Sequence, residues 1–178
     1  MTGYALFDTA LGCCGIAWTD RGVRAVQIPE ESRELTRARL VHGLDDPREA
    51  SPDDGVRRAV DGIVALLDGE PDDLADVVLD DAHVADFDRR VYAATRAIPV
   101  GETATYGEIA TRIGGDPRAV GGALGRNPFP LVVPCHRVVG ADGRMTGFSA
   151  TGGVATKVRI LALEGARVAR TPTLFDLQ

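Results

Sequence analysis

From Thr105 to Val139 the chain reads TYGEIATRIGGDPRAVGGALGRNPFPLVVPCHRVV, and local chemistry dictates much of the shape of this stretch. Thr105 and Glu108 have the spacing of a capping box, in which the hydroxyl accepts from the third helical amide and the carboxylate reaches back to the N-cap amide. A short helix is predicted over 106–113. Gly114-Gly115 makes a turn. Asp116 supplies an N-cap, and Pro117 suits a first helical position, where no amide hydrogen is needed. A second helix is therefore predicted over 117–125. Two short helices joined by a glycine turn are a candidate helix-turn-helix, which either presents its second helix to DNA or only packs a core.

Downstream, the apolar run Leu131-Val132-Val133 ends in Pro134-Cys135-His136-Arg137-Val138-Val139. Thiolate is the nucleophilic form of cysteine, and a neighbouring imidazole can lower a thiol pKa of ~8.5. Adjacent residues of an extended chain point to opposite sides. His136 therefore reaches the sulfur only through a turn, which Pro134 favours, or through a water. A buried structural cysteine beside an unrelated histidine fits the same string.

Before this stretch, residues 4–7, 16–18 and 23–28 are apolar or alternating and separated by Gly12, Gly15 and Gly22, the pattern of an antiparallel meander. Helical spacing follows over 31–41 and over 55–67, where Val56, Val60, Ile63, Val64 and Leu67 share a face. The acidic, proline-containing segment 43–54 reads as a solvated loop, and 77–79 as one more strand. Phe87, Val91, Tyr92 and Thr95 mark a helix that stops before Pro99. A glycine-rich loop, 140–153, leads to a closing helix over 154–163. Composition shifts near 82–86, which divides the chain into a domain at 1–84, a second at 85–170 and a tail at 171–178.

The 178 residues are 44% hydrophobic, enough for a sizeable core and contrary to disorder, collagen or a disulfide scaffold. No apolar run approaches the ~20 residues of a membrane helix, and the first residues lack the pattern of a secretory signal. An odd number of cysteines, three, points to a reducing compartment, with the cytoplasm expected. The net charge of −6 is unevenly spread: residues 1–84 hold 8 basic and 18 acidic side chains, residues 85–170 hold 12 and 7. Such asymmetry suggests an anionic partner for the second half. Of 20 basic residues only Lys157 is a lysine, a bias that genome base composition also produces.

Taken in order, Tyr106-Gly107-Glu108-Ile109-Ala110, Arg118-Ala119-Val120-Gly121, Arg126-Asn127-Pro128 and Pro134-Cys135-His136-Arg137-Val138-Val139 resemble the O6-alkylguanine-DNA alkyltransferase family over about residues 86–165. The resemblance implies an α/β (α+β) architecture. An N-terminal ribonuclease-H-like antiparallel sheet with helices precedes a mostly helical domain carrying the helix-turn-helix and an active-site loop. It implies a single-turnover repair protein that flips O6-alkylguanine, and also O4-alkylthymine, out of double-stranded DNA. Cys135 is the implied alkyl acceptor, His136 the base acting through a water, and Glu164 the acid that orients it. The resemblance implies that Asn127 bridges the helix-turn-helix to the active-site strand, and that Tyr106 donates to guanine N3 and helps rotate the phosphate. Arg118 enters the stack in place of the extruded base. Ala119 and Gly122 allow close approach to the minor groove, and Arg126 and Arg137 are further DNA contacts. Val138 (by its carbonyl), Phe148, Ser149 (by its amide) and Pro130 form the base pocket. No cofactor is implied, and a monomer is expected off DNA.

The physics suits those roles, because an O6 adduct inside a duplex is out of reach until its nucleotide is extruded. Three features depart from the family pattern. Pro117 abuts Arg118, which places that arginine at the helix start and opens a second reading in which it holds a phosphate. Ala150 and Thr151 stand between Ser149 and Gly152, where several members have no residues. Cys13 and Cys14 are adjacent, which ill suits two ligands of one tetrahedral site, so no metal is expected. Two other functions compete: a module that recognises alkylated DNA without transfer, and a thiol enzyme acting on a small molecule. The first is opposed by Cys135 and the second by the basic second half.

Overall fold

The computed structural model describes residues 1–166; the expected tail at 171–178 lies outside the described residues. Strands β1 (Thr2–Thr9), β2 (Gly12–Thr19) and β3 (Gly22–Gln27) form the antiparallel meander. Gly3 is required by a close approach: a Cβ there would lie 2.6 Å from the buried Trp18 ring. Strand β4 (Pro47–Glu49) adds parallel to β1 and gives the order β3-β2-β1-β4. This corrects the reading of 43–54 as loop throughout. A three-residue exposed edge strand has no buried face, so it writes no alternation into the sequence. Residues 77–79 make only one bridge, Val23 to Leu79, and not a strand.

Helix α1 (Arg33–Val41) is capped by Ser32 and packs Leu40 with Tyr4 and Ala17 on one face of the sheet. Helix α2 (Asp54–Leu67) is capped by Asp53 and buries Val56, Ala59, Ile63, Leu66 and Leu67 in the main core with Cys14, Ile16 and Trp18. Cys14 is fully buried on that face and Cys13, its neighbour along the strand, is partly exposed.

The second half is helical: α3 (Asp86–Arg96), α4 (Tyr106–Ile113), α5 (Pro117–Gly125) and α6 (Gly153–Leu163), with a two-residue parallel pair, β5 (Ala104–Thr105) and β6 (Val138–Val139). Helices α4 and α5 occupy the predicted residues. The capping box is present, with Thr105 Oγ1 accepting from Glu108 N at 3.1 Å and Glu108 Oε2 from Thr105 N at 2.6 Å. Gly114 closes α4 in the left-handed conformation, and Asp116 caps α5. The main core is continuous through both halves, running from Val26 and Ile63 to Val91, Ile109, Val133 and Ile160. Val26 N also donates to Pro128 O at 2.8 Å, and Arg159 to Ala10 O at 2.9 Å. Among the described residues no helix is long and apolar enough to cross a membrane.

The box ties α4 to its entry strand, so Thr105→Ala is expected to cost about 1 kcal/mol of stability. Urea unfolding is the check: the midpoint should fall at constant slope.

Candidate active site

Between α5 and the site the chain is not a strand. Asn127 staples it into a tight turn, with Oδ1 accepting from Phe129 N at 2.9 Å and Nδ2 donating to Val133 O at 3.0 Å. Leu131, fully buried, is held at φ +73°, a left-handed conformation that costs a leucine roughly 1–2 kcal/mol. Pro134 then has φ −77° and ψ 66°, and Cys135 N donates across it to Val133 O at 2.7 Å. This is an inverse γ-turn. Residues Cys135–Arg137 continue as one 3-10 turn. The two turns in succession take Cys135 and His136 out of the extended geometry that would point them apart.

His136 is wholly buried, and its Nε2 lies 2.7 Å from Glu164 Oε1. Glu164, just past the end of α6, also accepts from Arg137 Nε at 3.0 Å (Oε2) and Nη2 at 2.8 Å (Oε1). Arg137 Nη1 donates to Ile98 O at 2.7 Å. Burial alone would raise the Glu164 pKa, but the hydrogen bonds from His136 and Arg137 outweigh it and hold the carboxyl at about 2. Burial pushes His136 down, and the Arg137 and Lys157 charges add to that against the pull of Glu164. A neutral imidazole facing an ionised carboxylate carries its hydrogen on Nε2, which leaves the Nδ1 lone pair available. Nδ1 is buried and has no protein partner among the described residues.

Burial likewise raises the Cys135 thiol, opposed by the Asn127 side chain, the Lys157 charge and nearby backbone amides. The resting sulfur is a thiol that needs a base. It lines a cleft of about 440 Å³ together with Tyr106, Asn127, Pro130, Phe148 and Ser149. Burial raises Tyr106 as well. Beside this cleft α5 buries Val120, Ala123 and Leu124 and exposes Arg118, Ala119 and Gly122, with the exposed Arg126 as its C-cap. That exposed face is a strip of small side chains with an arginine at each end.

Residues 86–166 match the family model for the DNA-binding domain of 6-O-methylguanine DNA methyltransferase. Over 178 residues, 99% of this chain and 100% of the relative, the sequence is 44% identical to the methylated-DNA–protein-cysteine methyltransferase of Mycobacterium tuberculosis H37Rv. A namesake from Methanothermobacter thermautotrophicus is 40% identical over 151 residues, 85% of this chain and 78% of that one. The crystal structure of Mycobacterium tuberculosis OGT in complex with DNA superposes with a TM-score of 0.71 at 35% identity, covering 91% and 92% of the two chains. This chain belongs to the methylated-DNA–protein-cysteine methyltransferase family.

Within that methyltransferase frame, six of the expected site residues, Cys135, Tyr106, Asn127, Pro130, Phe148 and Ser149, meet in one cleft, with His136 and Glu164 in contact behind it. Arg137 is a correction: expected at DNA, it is 1% exposed and fully engaged by Glu164 and Ile98. The turn that presents the thiol drives it inward. Val138 is buried, and its carbonyl accepts from Lys157 Nζ at 2.5 Å. Arg126 is exposed but paired with Asp88 at 2.9 Å and 3.1 Å. Sequence reasoning missed Lys157, which is buried, bonded also to Thr146 O at 3.1 Å, and places a cation near the thiol. Its signal was visible, for it is the one lysine among arginines.

Removing Arg137 strands a buried carboxylate, so Arg137→Ala is expected to lose about 3–5 kcal/mol in chemical unfolding. The Glu164 pKa of about 2 in the folded chain lies below the ~4.3 of an unfolded glutamate. Its contribution is therefore complete above ~pH 5 and is lost as pH falls through 4 towards 2. Unfolding curves over that range should slope less for Glu164→Gln.

Proposed function

We propose that this chain repairs duplex DNA by moving the alkyl group of O6-alkylguanine, or O4-alkylthymine, onto Cys135 Sγ in one irreversible turnover. The observation that carries this reading is a partly exposed thiol at a cleft, one residue from a buried imidazole that a carboxylate orients. The thiol proton passes to His136 Nδ1, through a water as the family resemblance implies, and Glu164 stabilises the imidazolium. Sulfur then attacks the alkyl carbon, the S–C bond forms, and the C–O6 bond breaks with its electron pair left on O6. Hydrogen bonds from Tyr106 to N3 and from the Ser149 amide to O6 stabilise the departing guanine anion. That anion becomes neutral by taking a proton from water, and the His136 imidazolium returns its proton to water. The product is a thioether, which no group in the cleft hydrolyses, so the protein is consumed. Residues 85–170 carry DNA binding and the acceptor, and residues 1–84 brace them.

The α5 face supports binding through a groove with little base readout, as repair at arbitrary sequences requires. Arg118 is taken to enter the stack. The alternative, a phosphate held at the helix start, is weakened because Asp116 Oδ1 already accepts from Arg118 N at 2.9 Å and Ala119 N at 3.2 Å.

Incubation with a duplex containing O6-methylguanine should add one methyl increment to the Cys135 peptide and then stop. Label on Cys13 or Cys14, or continued turnover, would overturn the assignment. His136→Gln should slow transfer strongly near neutral pH with DNA affinity kept, and its rate should climb with pH as the raised thiol ionises unaided. Arg118→Ala should slow transfer from duplex far more than from free O6-benzylguanine, which needs no flipping; full recovery at saturating protein would assign Arg118 to a phosphate.

A further inference from the structure

Outside the acceptor centre, one contact joins residues 121 positions apart: Thr151 Oγ1 donates to Glu30 Oε2. The Glu30 side chain is 5% exposed and firmly set. Its Oε1 accepts from Gln27 Nε2 at 3.0 Å and pairs with Arg39 Nε at 3.2 Å. Its own amide donates to Thr36 Oγ1 at 3.0 Å on α1. On the other side Thr151 O accepts from Thr156 Oγ1 at 2.8 Å, which ties the contact to the first turns of α6. Just before Thr151 come Phe148 and Ser149, which line the cleft with Cys135, and Gln27, Glu30 and Arg39 line the same cleft from the N-terminal half.

Besides this contact the segment is held by the packing of Phe148 and Ala150 on the main core and by Gly153 N donating to Ala150 O at 2.8 Å. Gly147, Gly152 and Gly153 all take positive φ, and a Cβ on Gly147 would meet nothing within 4 Å. A wall hinged on glycines at both ends loses conformational entropy whenever a base docks, unless something orders it beforehand. A hydroxyl donating to an ionised carboxylate is a strong way to do so. We infer that Glu30 is a positioning residue for alkyl transfer: through Thr151 it sets the pocket wall, so that the N-terminal sheet domain governs how well the base fits. The inference rests on the proposed acceptor reading. It assigns Glu30 to base binding and leaves thiol activation to His136 and Glu164.

The test is single-turnover transfer from free O6-benzylguanine to the full chain at increasing concentration. Thr151→Ala and Glu30→Ala should each raise the half-saturating concentration about five- to tenfold. The limiting rate and its pH profile should move less than about twofold, the mark of lost binding rather than lost chemistry. Thr151→Ser keeps the hydroxyl and should match the parent. The double variant should be no worse than the worse single, because each single already breaks the Thr151–Glu30 contact. Should Glu30→Ala fail to fold, the Ala and Ser variants of Thr151 decide alone. A Thr151→Ala curve that superimposes on the parent, or single effects that multiply in the double variant, would overturn the inference. A parent chain that transfers nothing to Cys135 would instead overturn the acceptor reading, and this inference with it.

Discussion

One buried carboxylate organises the site. Glu164 accepts from both His136 and Arg137, which are consecutive in the chain, and so pins the middle and last residues of a single 3-10 turn to the end of α6. Taking such charges out of water costs several kcal/mol each, and the arrangement is tolerable only because nearly every donor and lone pair finds a partner. Arg137 completes it by reaching Ile98 O. With two of its three side chains fixed, the turn can present the third, Cys135, in only one direction. The proposed chemistry and the architecture share the same atoms here.

The thiol environment looks at first opposed to catalysis, since burial raises Cys135 and pushes its neighbouring histidine down. For the proposed acceptor, used once, that combination is suitable. A sulfur kept protonated at rest is a poor target for stray oxidants and electrophiles. In the proposed mechanism the neutral imidazole, with its free lone pair, removes the proton when a substrate excludes water. Lys157 and Asn127 lower the cost of the anion at that moment without making it permanent.

The features legible in the sequence were those set by neighbouring residues. The Thr105–Glu108 box and the Asp116-Pro117 start are local physics and appear at their expected places, and α2 buries Val56, Ile63 and Leu67 of its expected face, with Ala59 and Leu66 in place of the half-buried Val60 and Val64. Features that depend on distant partners were not legible. β4 shows no alternation because it is exposed, and 77–79 reads like a strand although it finds one bridge. The run Leu131-Val132-Val133 is too short for periodicity to separate strand from buried turn; Asn127 and Pro134 decide it. Arg137 reads as a DNA contact until the turn direction is known, and the partner of Thr151 lies 121 residues away. Most of the site was readable because its residues fall in short contiguous strings.

The pairing of Arg126 with Asp88 bears on how ionic strength governs binding. An unpaired arginine that meets a phosphate releases condensed counterions to bulk, and each release steepens the fall of affinity with salt. If Arg126 turns from Asp88 to a phosphate, it vacates a carboxylate that recruits a cation in its place. The exchange is nearly neutral in released ions. The salt slope would then count fewer charges than a contact map, and grip on DNA would persist in concentrated electrolyte better than the number of arginines on α5 suggests.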